Sequence, residues 1–234
     1  MKPSITLYTT HLCPWAHRVH IVLKELGIPY EEVIIDLDKP RDDWYLKINP
    51  RGLVPSMRFT YGPFRDQILT ESAVIVRFLA DCHSSHLQQT NLPDPAAAFV
   101  HARVALFADI WVSRIVPEML GGARSQDAKE KELSATKLAT IVKENVEPAL
   151  HDAAPFFAGH ARMTMAEVLT APFLIRLYAY SEASLLPTSL KNELQSLSKF
   201  SAWADRVISQ ESVTYVWDQE AVISKSKSRM AVKK

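Results

Sequence analysis

The sequence predicts two domains of different class, an α/β domain over residues 1–83 and an all-α domain over residues 96–223. In the first part, segments with the alternating pattern of strands and segments with the apolar spacing of helices succeed one another. The second part has helical patterns only, and strands followed by a run of helices favour separate domains. Residues 84–95 lack periodicity and contain Ser, Asn, Asp and Pro, which is typical of a linker.

Seven elements are predicted in the first domain, in the order βαβαββα. The strands are expected over 5–9, 31–37, 54–59 and 67–69, and the helices over 14–26, 41–48 and 71–82. The first two strands should be parallel, because a helix joins them in a right-handed crossover. The last two are too close for a crossover and should be antiparallel. Such a mixed four-stranded sheet with flanking helices is the thioredoxin-like arrangement.

The second domain is predicted to consist of helices at about 96–120, 128–150, 165–181, 190–208 and 212–223. Thr164 and Glu167 have the spacing of a capping box and precede an apolar run, which indicates the start of a helix. Residues 224–234 are expected to form a basic, flexible tail that carries Lys225, Lys227, Arg229, Lys233 and Lys234.

Composition excludes several classes of protein. Hydrophobic residues make up 47% and charged residues 23%, and the net charge of +1 leaves no electrostatic footprint for nucleic acid. Two cysteines are too few for a disulfide framework, so a reducing compartment is expected. We find no secretory signal and no apolar run of membrane-spanning length, and therefore expect a cytoplasmic protein without a membrane segment.

The segment Cys13-Pro14-Trp15-Ala16 lies where the first strand gives way to the first helix. Proline suits the first helical position, which places the Cys13 sulfur beside free backbone N–H groups at the positive end of the helix dipole. We therefore expect a nucleophilic thiol with a lowered pKa. His17 and Arg18 could add positive charge, and His17 is expected to be exposed near the site rather than to serve as a general base.

Ala16 stands where a Cys-x-x-Cys motif would have its second cysteine. An internal disulfide is therefore not available locally, and an external thiol must resolve any mixed disulfide formed at Cys13. Cys82 lies near His83 and His86, but no fourth ligand occurs at a suitable spacing, so we predict no metal site and regard this thiol as incidental.

Two further segments suggest a ligand with a peptide-like backbone. A cis Val54-Pro55 bond would turn the Val54 backbone toward such a ligand, although the sequence leaves the isomer open. Ser72 and the first N–H groups of the third helix could bind a carboxylate, and Glu71 could bind an amino group. Simple capping of the helix is the alternative. Together with Cys13, these features describe a ligand with one thiol, an extended backbone and an amino-acid end.

Three segments carry a resemblance to the glutathione transferase superfamily, and within it most closely to the omega class. They are Leu-Cys-Pro-Trp-Ala-His-Arg-Val around Cys13, Asn-Pro-Arg-Gly-Leu-Val-Pro ending at Pro55, and Leu-Thr-Glu-Ser-Ala-Val-Ile around Glu71. The resemblance extends into the helical half, where Met163 to Glu167 matches the family's capping box. It implies the glutathione transferase fold, glutathione as cosubstrate and a homodimer.

The resemblance also assigns roles to residues. Cys13 would form a mixed disulfide with glutathione, Val54 and Pro55 would hold its cysteinyl part, and Glu71 and Ser72 would bind its γ-glutamyl end. Either Lys39 or Arg41 would meet the glycyl carboxylate. The second substrate, a small electrophile, disulfide or conjugate, would occupy a pocket whose candidate residues are Trp15, Trp111, Arg114, Phe173 and Tyr178.

Three functions remain open at this stage. The first is a glutathione-dependent thiol transferase or reductase, which the cysteine favours over simple conjugation. The second is a glutathione-dependent cis–trans isomerase of a conjugated metabolite, in which glutathione is required but not consumed. The third is a non-catalytic ligand-binding protein with the same fold, which the intact Cys-Pro motif disfavours.

Overall fold

The computed structural model describes residues 3–83, 85–87 and 94–231 of the chain. These residues form two compact units, Met1–Gln88 and Gln89–Lys234. The predicted linker, 84–95, spans this division, but residues 84 and 88–93 lie outside the described part, as do residues 232–234 of the predicted tail.

The first unit contains a mixed four-stranded sheet in the order β2-β1-β3-β4. Its elements are β1 (Ser4–Thr9), α1 (Pro14–Glu25), β2 (Glu31–Ile34), α2 (Asp43–Ile48), β3 (Ser56–Tyr61), β4 (Phe64–Thr70) and α3 (Ser72–Cys82). Strand β1 pairs in parallel with β2 and antiparallel with β3, and β3 pairs antiparallel with β4. The predicted βαβαββα order and the thioredoxin-like sheet are confirmed.

Helix α1 is the central helix of this unit. Its residues from Ala16 to Leu23 are all buried, and it packs against α3. Gly27 ends the helix in the left-handed conformation (φ 61°), and its N–H donates to the Lys24 carbonyl over 3.1 Å. At its other end, α1 begins shortly after the carboxyl end of β1, and the candidate nucleophile, Cys13, lies in the connection between them.

The second unit is built from helices. They are α4 (Pro95–Ile110), α5 (Val116–Arg124), α6 (Ala128–Ile141), α7 (Glu147–Ala149), α8 (Met165–Glu182), α9 (Thr188–Gln195), α10 (Ser198–Ile208), α11 (Glu211–Thr214) and α12 (Gln219–Ala231). Turns of π-helix, Trp111–Ile115 and Val142–Val146, join α4 to α5 and α6 to α7. The all-α class predicted for this half is confirmed.

The prediction for the C-terminal end was wrong in two respects. The helix expected over 212–223 is divided into α11 and α12, and residues 224–231, expected to be a flexible tail, continue α12. Side chains fix this helix to the unit, because Val222 is buried and the Ser226 hydroxyl donates to the Tyr180 hydroxyl over 3.1 Å. A basic composition alone does not reveal these two anchors.

The continuous helix Pro95–Arg124 is more apolar than we expected. An 18-residue window in it has a mean hydropathy of 1.4, and 22% of that window is buried, so by length and composition it could cross a membrane. Arg103 and Asp109 interrupt this helix, so it does not contain the continuous apolar run of about 20 residues that the sequence analysis looked for. Buried helices of globular proteins also meet these criteria. Phe99 and Leu106 on this helix, however, are large apolar side chains that are exposed, which burial in a core does not explain.

A buried carboxylate organises the start of α8. One oxygen of Glu167 accepts hydrogen bonds from the Thr164 N–H and hydroxyl, each at 2.7 Å, which completes the predicted capping box. Its other oxygen accepts from the Phe157 N–H and the Trp203 indole N–H, each at 2.8 Å. Glu167 therefore joins three separate segments of the helical unit.

We expect Glu167→Ala to destabilise the protein by about 3–5 kcal/mol, because four buried donors lose their acceptor. Glu167→Gln should cost less, since its carbonyl oxygen can still accept two of these hydrogen bonds. Urea unfolding followed by circular dichroism measures both changes. Wild-type stability in the alanine variant would contradict the structural role assigned to this carboxylate.

Candidate active site

Cys13 is the N-cap residue of α1, with extended backbone angles (φ −91°, ψ 121°), and Pro14 occupies the first helical position. Cys13 is partly buried and packs against a core cluster that includes Tyr8, Ala16 and Val54. This confirms the local geometry expected for Cys13, which is the N-cap residue before a proline and lies where the helix dipole favours a thiolate.

A second contact of the sulfur acts in the opposite direction. The Cys13 thiol donates to the Val54 carbonyl oxygen over 3.8 Å, and only the protonated thiol can make this hydrogen bond. The Val54 carbonyl therefore favours the thiol form. A ligand N–H that paired with this carbonyl would remove that preference.

Arg18 brings a buried positive charge close to the site. Its guanidinium carbon lies 4.6 Å from the centre of the Trp15 ring, and one of its nitrogens donates to the Ser72 hydroxyl over 3.3 Å. Burial lowers the pKa of Arg18 to about 9, whereas its attraction to Cys13 raises that pKa. Arg18 is therefore charged at neutral pH, and the same attraction stabilises a Cys13 thiolate.

His17 is not the exposed residue that the sequence suggested. Its side chain is fully buried, as are its neighbours on α1. Helical spacing identifies one apolar face, but α1 is covered on more than one side, so polar residues within it are buried as well.

The segment before β3 presents Val54 to the sulfur. The Val54–Pro55 peptide bond is cis, which answers the question that the sequence left open. The Leu53 carbonyl accepts hydrogen bonds from the Tyr45 hydroxyl at 2.6 Å and from the Asn49 amide at 2.9 Å. These buried donors on α2 and at its end fix the backbone beside Val54.

Glu71 and Ser72 begin α3. Glu71 is the N-cap residue and has a positive φ of 66°, a conformation that costs a residue with a side chain about 1–3 kcal/mol and often marks a functional site. Its exposed carboxylate pairs with Arg51. Ser72 is buried and receives the hydrogen bond from Arg18, so the starts of α1 and α3 are directly connected.

Lys39 and Arg41 differ in the groups that they contact. Arg41 donates to the carbonyls of Asp36 (2.6 Å), Leu37 (3.2 Å) and Gly52 (2.9 Å), and also to that of Lys39. Gly52 has a positive φ of 62°, and a Cβ atom there would lie 2.9 Å from Cγ of Arg41. By contrast, 78% of the Lys39 side chain is exposed, and its ammonium lies 3.3 Å from the Asp36 carboxylate.

The predicted pocket residues lie in both units. Trp15 contacts Arg18 in the first unit. In the second unit, Trp111 packs against Phe107 and Trp203, and Phe173 and Tyr178 are also buried. The exposed Arg114 donates to the Asn145 side chain over 2.6 Å. These contacts account for the residues of the helical unit as part of its own packing, and a role in substrate binding stays a prediction.

Cys82 and its neighbours do not form a common ligand set. Cys82 is exposed at the end of α3, and partial burial together with Asp81 raises the pKa of its thiol. A ring nitrogen of His83 is bonded to the Leu79 carbonyl at 2.8 Å, and His86 pairs with Glu25 at 3.0 Å.

Sequence reasoning missed one cluster beside this site. His11, His20 and Glu32 lie in the loop after β1, on α1 and on β2, and their ring nitrogens and carboxylate oxygen lie within 4.8 Å of one another. His20 is fully buried, and this burial, followed by the charge of His11, lowers its pKa to about 3. Nothing in the spacing of these residues along the chain signals the cluster.

Comparisons with known proteins agree with this geometry. The family described as "Glutathione S-transferase, N-terminal domain" matches residues 12–82. The match assigns residues 12–82 to this domain family, and the mixed sheet of the first unit and the cysteine at the start of α1 agree with it.

Several of the similar proteins are omega-class glutathione transferases. The chain is 28% identical to glutathione S-transferase omega-1 of Mus musculus, covering 75% of this chain and 68% of that protein. It is 26% identical to a glutathione S-transferase-like protein of Aspergillus terreus, covering 85% and 88%. The crystal structure of glutathione transferase Omega 2C from Trametes versicolor is 26% identical, with a TM-score of 0.80 and coverage of 97% and 99%. The chain is thus similar over most of its length to glutathione transferases, including members of the omega class.

Proposed function

We propose that this protein is a glutathione-dependent thiol transferase in which Cys13 forms the mixed disulfide. The observation that supports this most directly is the position of the Cys13 sulfur, at the start of α1 and close to the buried, charged Arg18. Ala16 occupies the place of a second cysteine, and Cys82 lies at the far end of α3, where it lines a separate apolar cavity. A single reactive thiol fits chemistry that an external thiol completes.

The reaction would proceed in two thiol–disulfide exchanges. In the first, the Cys13 thiolate attacks the glutathione sulfur of a mixed disulfide, a Cys13–glutathione disulfide forms, and the other half leaves as a thiolate that takes up a proton. In the second, the thiolate of free glutathione attacks the glutathione sulfur on Cys13. Oxidised glutathione leaves, and the Cys13 thiolate is regenerated.

Binding of glutathione would itself activate the nucleophile. We propose that the cysteinyl N–H of glutathione donates to the Val54 carbonyl, which is the group that the Cys13 thiol contacts. The thiol then loses the hydrogen bond that favours its protonated form, whereas the helix N-terminus and Arg18 continue to favour the thiolate. Ser72 and the first N–H groups of α3 would bind the γ-glutamyl carboxylate, and Glu71 its amino group.

We expect Cys13→Ala to lower the rate of glutathione-dependent reduction of hydroxyethyl disulfide by at least about 100-fold, because the nucleophile is lost. Incubation of the wild-type protein with oxidised glutathione should also add about 305 Da at Cys13, as measured by mass spectrometry. Cys82→Ala is the matched control and should retain both the rate and the adduct. Equal rates for wild type and Cys13→Ala would overturn the proposal.

Of the two basic residues, we propose that Lys39 binds the glycyl carboxylate of glutathione. Arg41 already donates to four backbone carbonyls, so its nitrogens are occupied in fixing the loop before α2. The exposed ammonium of Lys39 needs only to exchange its contact with Asp36 for the ligand.

Lys39→Ala should raise the KM for glutathione about tenfold and leave kcat unchanged, because a charge-assisted contact to the bound ligand is lost. Lys47→Ala, at an exposed position of α2, is the control and should leave KM unchanged. Arg41→Ala should instead lower the melting temperature. A normal KM in Lys39→Ala would rule out this assignment.

We also propose that the protein is a homodimer, as is typical of its family. Phe99 and Leu106, seven residues apart on α4, are 67% and 64% exposed, an unfavourable arrangement for large apolar side chains in water. The first unit likewise has an apolar cavity of about 590 Å³ at its surface, lined by Phe59, Tyr61, Phe64, Leu69, Phe78 and Cys82. A second copy of the chain would cover such surfaces.

Sedimentation velocity should show a dimer for the wild type and a monomer for the double variant Phe99→Asp/Leu106→Asp, because charges would be buried without partners at the interface. Lys129→Asp, at an exposed position near the start of α6, provides a control for added negative charge. A wild-type monomer at micromolar concentration would contradict the proposal.

A further inference from the structure

The side chains of His11, His20 and Glu32 place their potential metal-ligand atoms close together. His11 Nε2 lies 2.8 Å and His20 Nε2 lies 3.4 Å from the same oxygen, Glu32 Oε1. The two imidazole rings meet edge to face, with centroids 5.1 Å apart and an interplanar angle of 86°. The loop after β1, helix α1 and strand β2 therefore bring two imidazole nitrogens and one carboxylate oxygen within 4.8 Å of one another.

We propose that His11, His20 and Glu32 bind a divalent transition-metal ion of the zinc type, at a site separate from the chemistry of Cys13. Two imidazoles and one carboxylate are a known ligand set for Zn²⁺, with metal–ligand distances of about 2.0–2.2 Å. In a tetrahedral site of these dimensions the ligand atoms lie roughly 3.3–3.5 Å apart. The His20–Glu32 distance already has this value, and the His11–Glu32 pair needs to open by about half an ångström.

The surroundings of His20 fit a ligand role. Its Nδ1 lies 3.0 Å from the Tyr30 hydroxyl, and a hydrogen bond at one ring nitrogen is the usual way in which a metal-binding histidine is oriented. Packing fixes this buried ring in place. The His11 and Glu32 side chains are 41% and 29% exposed, which leaves a path by which an ion can enter.

Binding has an identifiable cost. The Thr9 hydroxyl contacts His20 Nε2 at 2.9 Å, and His11 is bonded to Glu32. An ion replaces both hydrogen bonds with three coordination bonds, and the fourth position remains for water. It would also connect the loop before Cys13 to α1 and β2, so binding should stabilise the fold.

The test uses the full-length Cys13→Ser protein, treated with EDTA and dialysed, so that the reactive thiol cannot bind the ion. Titration with Co²⁺, followed by visible absorption, and with Zn²⁺, followed by calorimetry, should show one ion per chain. His11→Ala and Glu32→Gln should each weaken binding at least tenfold and abolish the rise in melting temperature caused by Zn²⁺. His151→Ala, in the other unit, should leave both unchanged.

Two results would overturn this site: no saturable binding up to millimolar Zn²⁺, or equal affinity in His11→Ala, Glu32→Gln and the parent protein. Both substitutions are at partly exposed side chains, and circular dichroism verifies that the variants fold. Because the titration is performed without glutathione and without Cys13, its failure is distinguishable from failure of the thiol-transfer proposal.

Discussion

The hydrogen bond from Arg18 to Ser72 is the constraint on which the rest of the site depends. It joins the fifth residue of α1 to the first residue of α3, and the two helices pack against each other. The thiol lies at one of these helix starts and the candidate carboxylate site at the other. A buried arginine loses hydration, and the attraction between Arg18 and Cys13 compensates part of that loss. The Arg18–Ser72 contact therefore connects the two helix starts and also keeps a positive charge near Cys13.

Those parts of the molecule that depend on neighbouring residues in the chain were predicted from the sequence. Pro14 at the first helical position located Cys13 at the N-cap, and the spacing of Thr164 and Glu167 located the start of α8. The βαβαββα order followed from alternating patterns and short connections. In each case the physical cause acts within a few residues, so the signal is present in the chain itself.

Features created by packing were not predictable in this way. The burial of His17 depends on how many neighbours cover α1, and the cluster of His11, His20 and Glu32 depends on the parallel register that places Leu7 opposite Glu32. The choice between Lys39 and Arg41 likewise required the carbonyls around Arg41, which come from two separate segments. A single sequence contains the residues of these contacts but not the distances between them.

The close approach of Gly52 to Arg41 has a consequence for divergence. A side chain at position 52 would collide with the stem of Arg41, and the positive φ at this glycine opposes any such replacement independently. The arginine in turn holds the loop carbonyls only while this space stays empty. Positions 41 and 52 should therefore change together in evolution. Lineages that lose the glycine should also have replaced the arginine, and their loop before α2 should differ in length or shape from that of lineages that keep both residues.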